Sequence, residues 1–110
     1  MSAINQGNVV ISINDRGIAT IEFSHPMSNS LPGKVLSKLA HTIKIAGFDD
    51  NIKVIILKSA GDRVFCAGAS FEELSNIEDL ENGKAFFSGF ANVINAARKC
   101  PKLIIGRVQG

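Results

Sequence analysis

The alternation of apolar and polar positions sets the first two elements. Residues 9–14 place Val9, Ile11 and Ile13 against Val10, Ser12 and Asn14, the period-two pattern of a strand. Asn14-Asp15-Arg16-Gly17 is turn chemistry, with Gly17 supplying positive φ. Residues 18–23 alternate again, with Ala19, Ile21 and Phe23 opposing Ile18, Thr20 and Glu22. The two segments together predict an antiparallel hairpin. Residues 24–31 form a loop that holds His25 and Pro26. Pro32 then fits the first position of a helix, where its missing N–H costs nothing. Val35, Leu36, Leu39, Ala40, Ile43 and Ala46 make one helical stripe, and Gly47 fits its C-terminal cap.

The pattern changes at residues 53–58. Val54, Ile55, Ile56 and Leu57 follow one another without alternation, as in a strand buried on both faces. Residues 59–64 read as a loop and residues 65–68 as a short extended piece. Ser70 followed by Glu73 is a capping box, which predicts a short helix over residues 70–76 with Glu73 reaching back to its own helix start. Residues 79–99 predict a longer helix. Phe86, Phe90, Val93 or Ile94, and Ala97 share one stripe, Arg98 and Lys99 suit its C-terminal dipole, and Pro101 ends it. Residues 103–108 begin a second buried strand. Two such strands joined by helices imply parallel pairing through right-handed crossovers, so the fold class is α/β. Residues 1–8 are polar and read as a loose N-terminus.

Composition narrows the function. The chain has 110 residues, 45% hydrophobic and 20% charged, the balance of a soluble globular protein rather than a disordered or fibrous one. No apolar run is long enough to span a bilayer, so no membrane partner is expected. A net charge of +2 is too mild for a nucleic-acid binder. The N-terminus lacks a charged segment followed by an apolar one, so no secretory signal is read and the cytoplasm is the expected location. Two cysteines, Cys66 and Cys100, are too few for a disulfide scaffold and form no Cys-x-x-Cys pair. Cys66 reads as a small buried hydrophobe. His25 and His41 read as loop or surface residues, with no further ligands for a metal.

One stretch carries candidate chemistry: AGDRVFCAGASFEEL, residues 60–74. It delivers Phe65 and Cys66 into Ala67-Gly68-Ala69 just before the capped helix. A free amide at such a junction, with small side chains around it, can donate to a developing oxyanion. Ala67-Gly68-Ala69 also fits a plain tight turn from strand to helix. Neither phosphate-binding glycine motif is present, which excludes the nucleotide-loop reading. Glu72 and Glu73 are adjacent and diverge on a helix, so they do not form a paired-carboxylate site.

The same stretch resembles the signature of the enoyl-CoA hydratase/isomerase (crotonase) family, commonly G-x-x-F-x-A-G-A-D-L. GIATIEFSHPMSNSL is similar to the family's G-x-x-x-I-x-L-N-R-P-x-x-x-N-A-L, KVIILKS to its central strand, and CPKLIIGRVQG to P-x-P-x-I-A-A-V-x-G. The four segments occur in the family's order. The resemblance implies the N-terminal part of a crotonase-like spiral fold over residues 9–110, with a mixed, mostly parallel sheet and flanking helices. It implies an acyl-CoA thioester as the partner, hydrated or isomerised through an enolate whose oxyanion is held by two backbone amides. Ala69 is the candidate donor of one. Ala67, Gly68, Ser70 and Phe71, together with Met27, Ser28 and Asn29 in the preceding loop, are the candidate contacts to coenzyme A. CoA enters as part of the substrate, so no separate cofactor is implied.

The pattern departs from the family in places. Ser70 stands where Asp is common, Ser30 replaces the Ala of N-A-L, and the 26–29 loop is one residue shorter. The family's second amide, its carboxylates and its trimer-building helices correspond to positions after Gly110. The chain is therefore expected to be the front portion of a larger homotrimeric or hexameric enzyme. A short protein that binds CoA or a partner without catalysis, or an α/β interaction domain with no CoA role, are the other readings. Arg98, Lys99, Lys102 and Arg107 fit either contacts to CoA phosphates or a solvated face.

Overall fold

The computed structural model describes residues 7–110. The loose N-terminus read for residues 1–8 thus lies almost wholly outside the described residues. The elements run β1 (Asn8–Ile13), β2 (Ile18–Ser24), α1 (Gly33–Gly47), β3 (Val54–Ser59), α2 (Phe71–Ser75), α3 (Leu80–Lys99) and β4 (Leu103–Gly106). The strands form one sheet in the order β1-β2-β3-β4. β1 and β2 pair antiparallel with Val9 opposite Phe23, while β2–β3 and β3–β4 are parallel. The hairpin turn is as expected: Gly17 has φ 81°. The Asn14 side-chain oxygen accepts from the amides of Arg16 and Ile18.

One face of the sheet is covered by α1, and α3 lies alongside α1. Val9, Ala19, Ile21, Phe23 and Ile55 are buried with Val35, Leu36, Leu39 and Ile43 of α1. α3 contributes Phe86, buried, with Phe90 and Val93 partly so. Val93 rather than Ile94 faces the core, since Ile94 is exposed.

Four expectations are corrected. β4 is short and mostly exposed, because no element of the described chain covers the sheet face that carries Leu103 and Ile105. For the same reason β3 is fully buried only at Ile55 and Ser59, which point toward the helices. Ile11 and Ile13 are exposed although they share the face of Val9, since β1 is an edge strand. Gly47 is the last helical residue rather than a left-handed cap. Phe48 caps α1 with φ −103°, and a Cβ on Gly47 would stand 3.1 Å from Cys100 Sγ and 3.2 Å from Pro101 Cδ. Gly47 is thus small for close packing, not for turning.

Residues 65–68 contain no paired strand. The only regular pairing in that region is a parallel bridge between Leu31 and Ala69. Helix starts follow side-chain chemistry: Ser70 Oγ accepts from the Glu73 amide at 3.3 Å, and Asp79 Oδ1 from the Asn82 amide at 2.7 Å. α3 ends at Cys100, which is extended as the residue before a proline must be.

Candidate functional site

Two loops meet beyond the C-terminal ends of β2 and β3. The first, residues 25–31, is built around its own polar groups. Asn29 donates its amide N–H to the His25 carbonyl at 2.9 Å, and its Oδ1 accepts from the His25 N–H at 3.1 Å. His25 Nδ1 accepts from the Met27 amide and lies 3.1 Å from Ser30 Oγ. These bonds hold Ser28 and Asn29 at φ 56° and 58°. Such angles disfavour most side chains, and Asn tolerates them best.

Asn29 also binds the second loop. Its Nδ2 donates to the carbonyls of Ala60 at 2.9 Å and Val64 at 2.8 Å, and Asn29 itself is buried. Phe65 packs edge-on against Phe23 with ring centres 5.2 Å apart, which seats this loop on β2. Gln109, following β4, donates its side-chain N–H groups to Ser59 Oγ and Gly61 O, and its carbonyl accepts from the Phe65 amide. Between the loops lies an open cavity of about 360 Å3, walled by His25, Pro26 and Ser28 on one side and Gly61, Asp62 and Arg63 on the other.

The candidate residues come together here. Ala67 donates its N–H to Ser28 O at 3.2 Å, and Leu31 donates to Gly68 O at 2.8 Å. Gly68 takes φ 94° with nothing within 4 Å of where a Cβ would be, and its amide donates to Cys66 Sγ at 3.3 Å. In a parallel bridge, backbone groups alternate between the two sides of the chain. Since Leu31 faces Gly68 O, the Ala69 N–H points away from Leu31. Ser70 is buried as the cap of α2. Met27 is exposed at the rim. The Phe71 side chain lies outside the described residues.

Several features escape a reading of residue order. Asn29, expected to flank CoA, is foremost the buried staple between the loops. Cys66 is half-buried, and its sulfur accepts a hydrogen bond rather than only filling space. Glu73 does not cap its own helix: its carboxylate accepts from the Gly33 amide at the start of α1. Lys102 is withdrawn from the basic cluster, its ammonium donating to the carbonyls of Asp49 and Ile52. α2 has only five residues, so its dipole adds little, and the candidate chemistry rests on the free Ala69 amide itself. Among the described residues, no three His, Cys, Asp or Glu side chains form a group that could hold a metal, and no helix is long and apolar enough to cross a membrane.

A sequence model described as enoyl-CoA hydratase/isomerase matches residues 14–110. The chain belongs to that family. It is 29% identical over 97 residues to the mitochondrial methylglutaconyl-CoA hydratase of Rattus norvegicus, covering 87% of this chain and 30% of the relative. It is 30% identical over 84 residues to the (7aS)-7a-methyl-1,5-dioxo-2,3,5,6,7,7a-hexahydro-1H-indene-carboxyl-CoA hydrolase of Mycobacterium tuberculosis, covering 76% of this chain and 30% of that one. The crystal structure of an enoyl-CoA hydratase from Mycobacterium smegmatis has the same fold, with a TM-score of 0.86 at 24% identity, over 93% of this chain and 40% of that one. The chain thus spans about a third of the length of the curated relatives it matches.

Proposed function

We propose that residues 27–31 and 67–70 form the front part of a site for an acyl-CoA thioester, in which an enoyl-CoA is hydrated or isomerised. The supporting observation is the pairing of the two segments, which turns the Ala69 amide away from Leu31. In hydration, water adds its oxygen to the β-carbon and a proton to the α-carbon. Negative charge resides on the thioester oxygen in between. An amide fixed about 2.7–3.1 Å from that oxygen stabilises this state more than the substrate. The second donor and the carboxylates that move protons are assigned to family positions outside the part matched here. CoA enters and leaves with the substrate, without a resident cofactor. The cytoplasm is the proposed location, and a trimer or hexamer the proposed assembly.

The test is calorimetric binding of a short enoyl-CoA to the full natural chain, with hydration followed by loss of the conjugated thioester absorbance. Turnover is expected, and Ala69→Pro, which removes the N–H, should lower kcat by about 100-fold. Binding without turnover would support a non-catalytic CoA-binding protein. No affinity for any acyl-CoA would leave the interaction-domain reading standing.

A further inference from the structure

The start of α1 carries no cap of its own. Pro32 makes no side-chain hydrogen bond there, and the first turn contains no acidic residue. The cap comes instead from α2. Both carboxylate oxygens of Glu73 accept from the Gly33 N–H, at 3.2 and 3.0 Å. A Cβ at Gly33 would stand 2.8 Å from Glu73 Oε1, the mobile end of that side chain, so glycine eases the carboxylate's approach. The negative charge also faces the positive end of a fifteen-residue helix. Glu73 is in turn anchored to the cap of α2 through its amide, which donates to Ser70 Oγ. One residue, through its backbone amide and its carboxylate, therefore links Ser70, next to Ala69, with Gly33, two residues beyond Leu31.

We propose that Glu73 is a positioning residue for the acyl-CoA site, tying the 67–70 turn to the start of α1 so that the Ala69 N–H keeps a fixed direction. This role rests on the acyl-CoA reading of that site. Among the described residues the turn is attached on both sides of Ala69. Upstream of Ala69 it hangs on the Ala67–Ser28 and Leu31–Gly68 backbone bonds. Downstream it hangs on Glu73 and Gly33. The second ties α2 to the start of α1, and a donor displaced by even 1 Å loses much of its value in the transition state. Glu73 also borders a separate cavity of about 350 Å3, with Gly33, Ile77, Asn82 and Phe86 on its walls. A direct proton-transfer role is the rival that the test must separate.

The full natural chain is compared with its E73A, E73Q and G33A variants. Three readouts are used: the 15N–1H signal of the Gly33 amide, kcat against KM for a short enoyl-CoA, and the infrared stretch of the bound thioester carbonyl. E73A should lower kcat about tenfold, with KM changing less than threefold and the carbonyl stretch moving back toward its value in water. E73Q keeps an oxygen for Gly33 and should recover most of kcat. G33A crowds only the mobile end of the carboxylate and should lower kcat less than E73A does. Should E73A not fold, E73Q and G33A carry the comparison. An E73A variant with wild-type kcat and carbonyl stretch overturns the role. So does an E73Q variant as slow as E73A whose Gly33 amide is still bonded, since that marks a proton-transfer group. A wild-type chain showing neither turnover nor a carbonyl shift overturns the acyl-CoA reading itself, and the positioning role with it.

Discussion

Asn29 does the work of three residues. It fits a left-handed backbone position at φ 58°, accepts from one loop and donates twice to the other. Asn29→Ala removes all three side-chain bonds, leaves Val64 O only the Ser59 hydroxyl, and places a Cβ residue with no local compensation at positive φ. The expected loss is about 2–4 kcal/mol in urea unfolding, counting three lost bonds and backbone strain. Asn29→Asp retains the size and the acceptor but aims a carboxylate at two carbonyls, so it should be at least as destabilising as Asn29→Ala. If Asn29→Asp instead melted like wild type, the carbonyl contacts would not be what holds the loops together. Half of this was legible in residue order. The turn-forming character of Asn29 and its place beside the candidate site both show there. Its bonds to Ala60 and Val64 do not, because they span more than thirty residues and depend on β2 and β3 lying in parallel.

Among the elements, local chemistry was read well and long-range chemistry was not. The hairpin, the α1 stripe and the Ser70 and Asp79 helix starts follow from periodicity and side chains within a few residues of one another. Glu73 shows the boundary: the capping-box pattern is present, yet its carboxylate turns to an uncapped helix forty positions back in the chain. Glycine use shows it too. Gly83 lies inside α3 and Gly47 is the last residue of α1, and by helix propensity Ala would be better by up to about 1 kcal/mol. At Gly83 a Cβ would meet only Ile77 Cγ2 at 3.5 Å, an ordinary contact. At Gly47 it would press on Cys100 and Pro101, whose positions are set by the end of α3 and the start of β4. Gly83→Ala should therefore raise stability by about 0.5–1 kcal/mol. Gly47→Ala should lower it, with overpacking costing about 1–3 kcal/mol against that gain. Thermal melts of the two variants side by side check the pair, and a stabilised Gly47→Ala would show that the α1–α3 junction is loose.

The whole molecule has more surface than its size calls for. It exposes 7441 Å2 at 11.7 kDa, against about 5,900 Å2 for a compact monomer of that mass. Its radius of gyration is 14.5 Å, against about 13 Å for a compact chain of this length. Part of the uncovered apolar surface forms one sheet face. Register places Val10, Ile18, Val54, Ile56, Leu103 and Ile105 on the sheet face away from α1. Val10, Leu103 and Ile105 are 53%, 64% and 49% exposed. Alternation in β1 and β2 forecasts one wet face. The unbroken runs of β3 and β4 forecast two dry ones, and that second pattern holds only if something covers the β3–β4 part of that side. A polypeptide of residues 1–110 alone is accordingly expected to self-associate and to bind an apolar dye. Leu103→Lys combined with Ile105→Thr separates the possible reasons. If the face is bare, the double variant should sediment as a monomer and melt no lower than the parent. If copies of the chain bury the face against each other, dissociation should come with a clear loss of stability, read by sedimentation and melting on the same samples. A parent that is monomeric with a sharp cooperative melt would show that this apolar face is tolerated in water, and the expectation of association would fail.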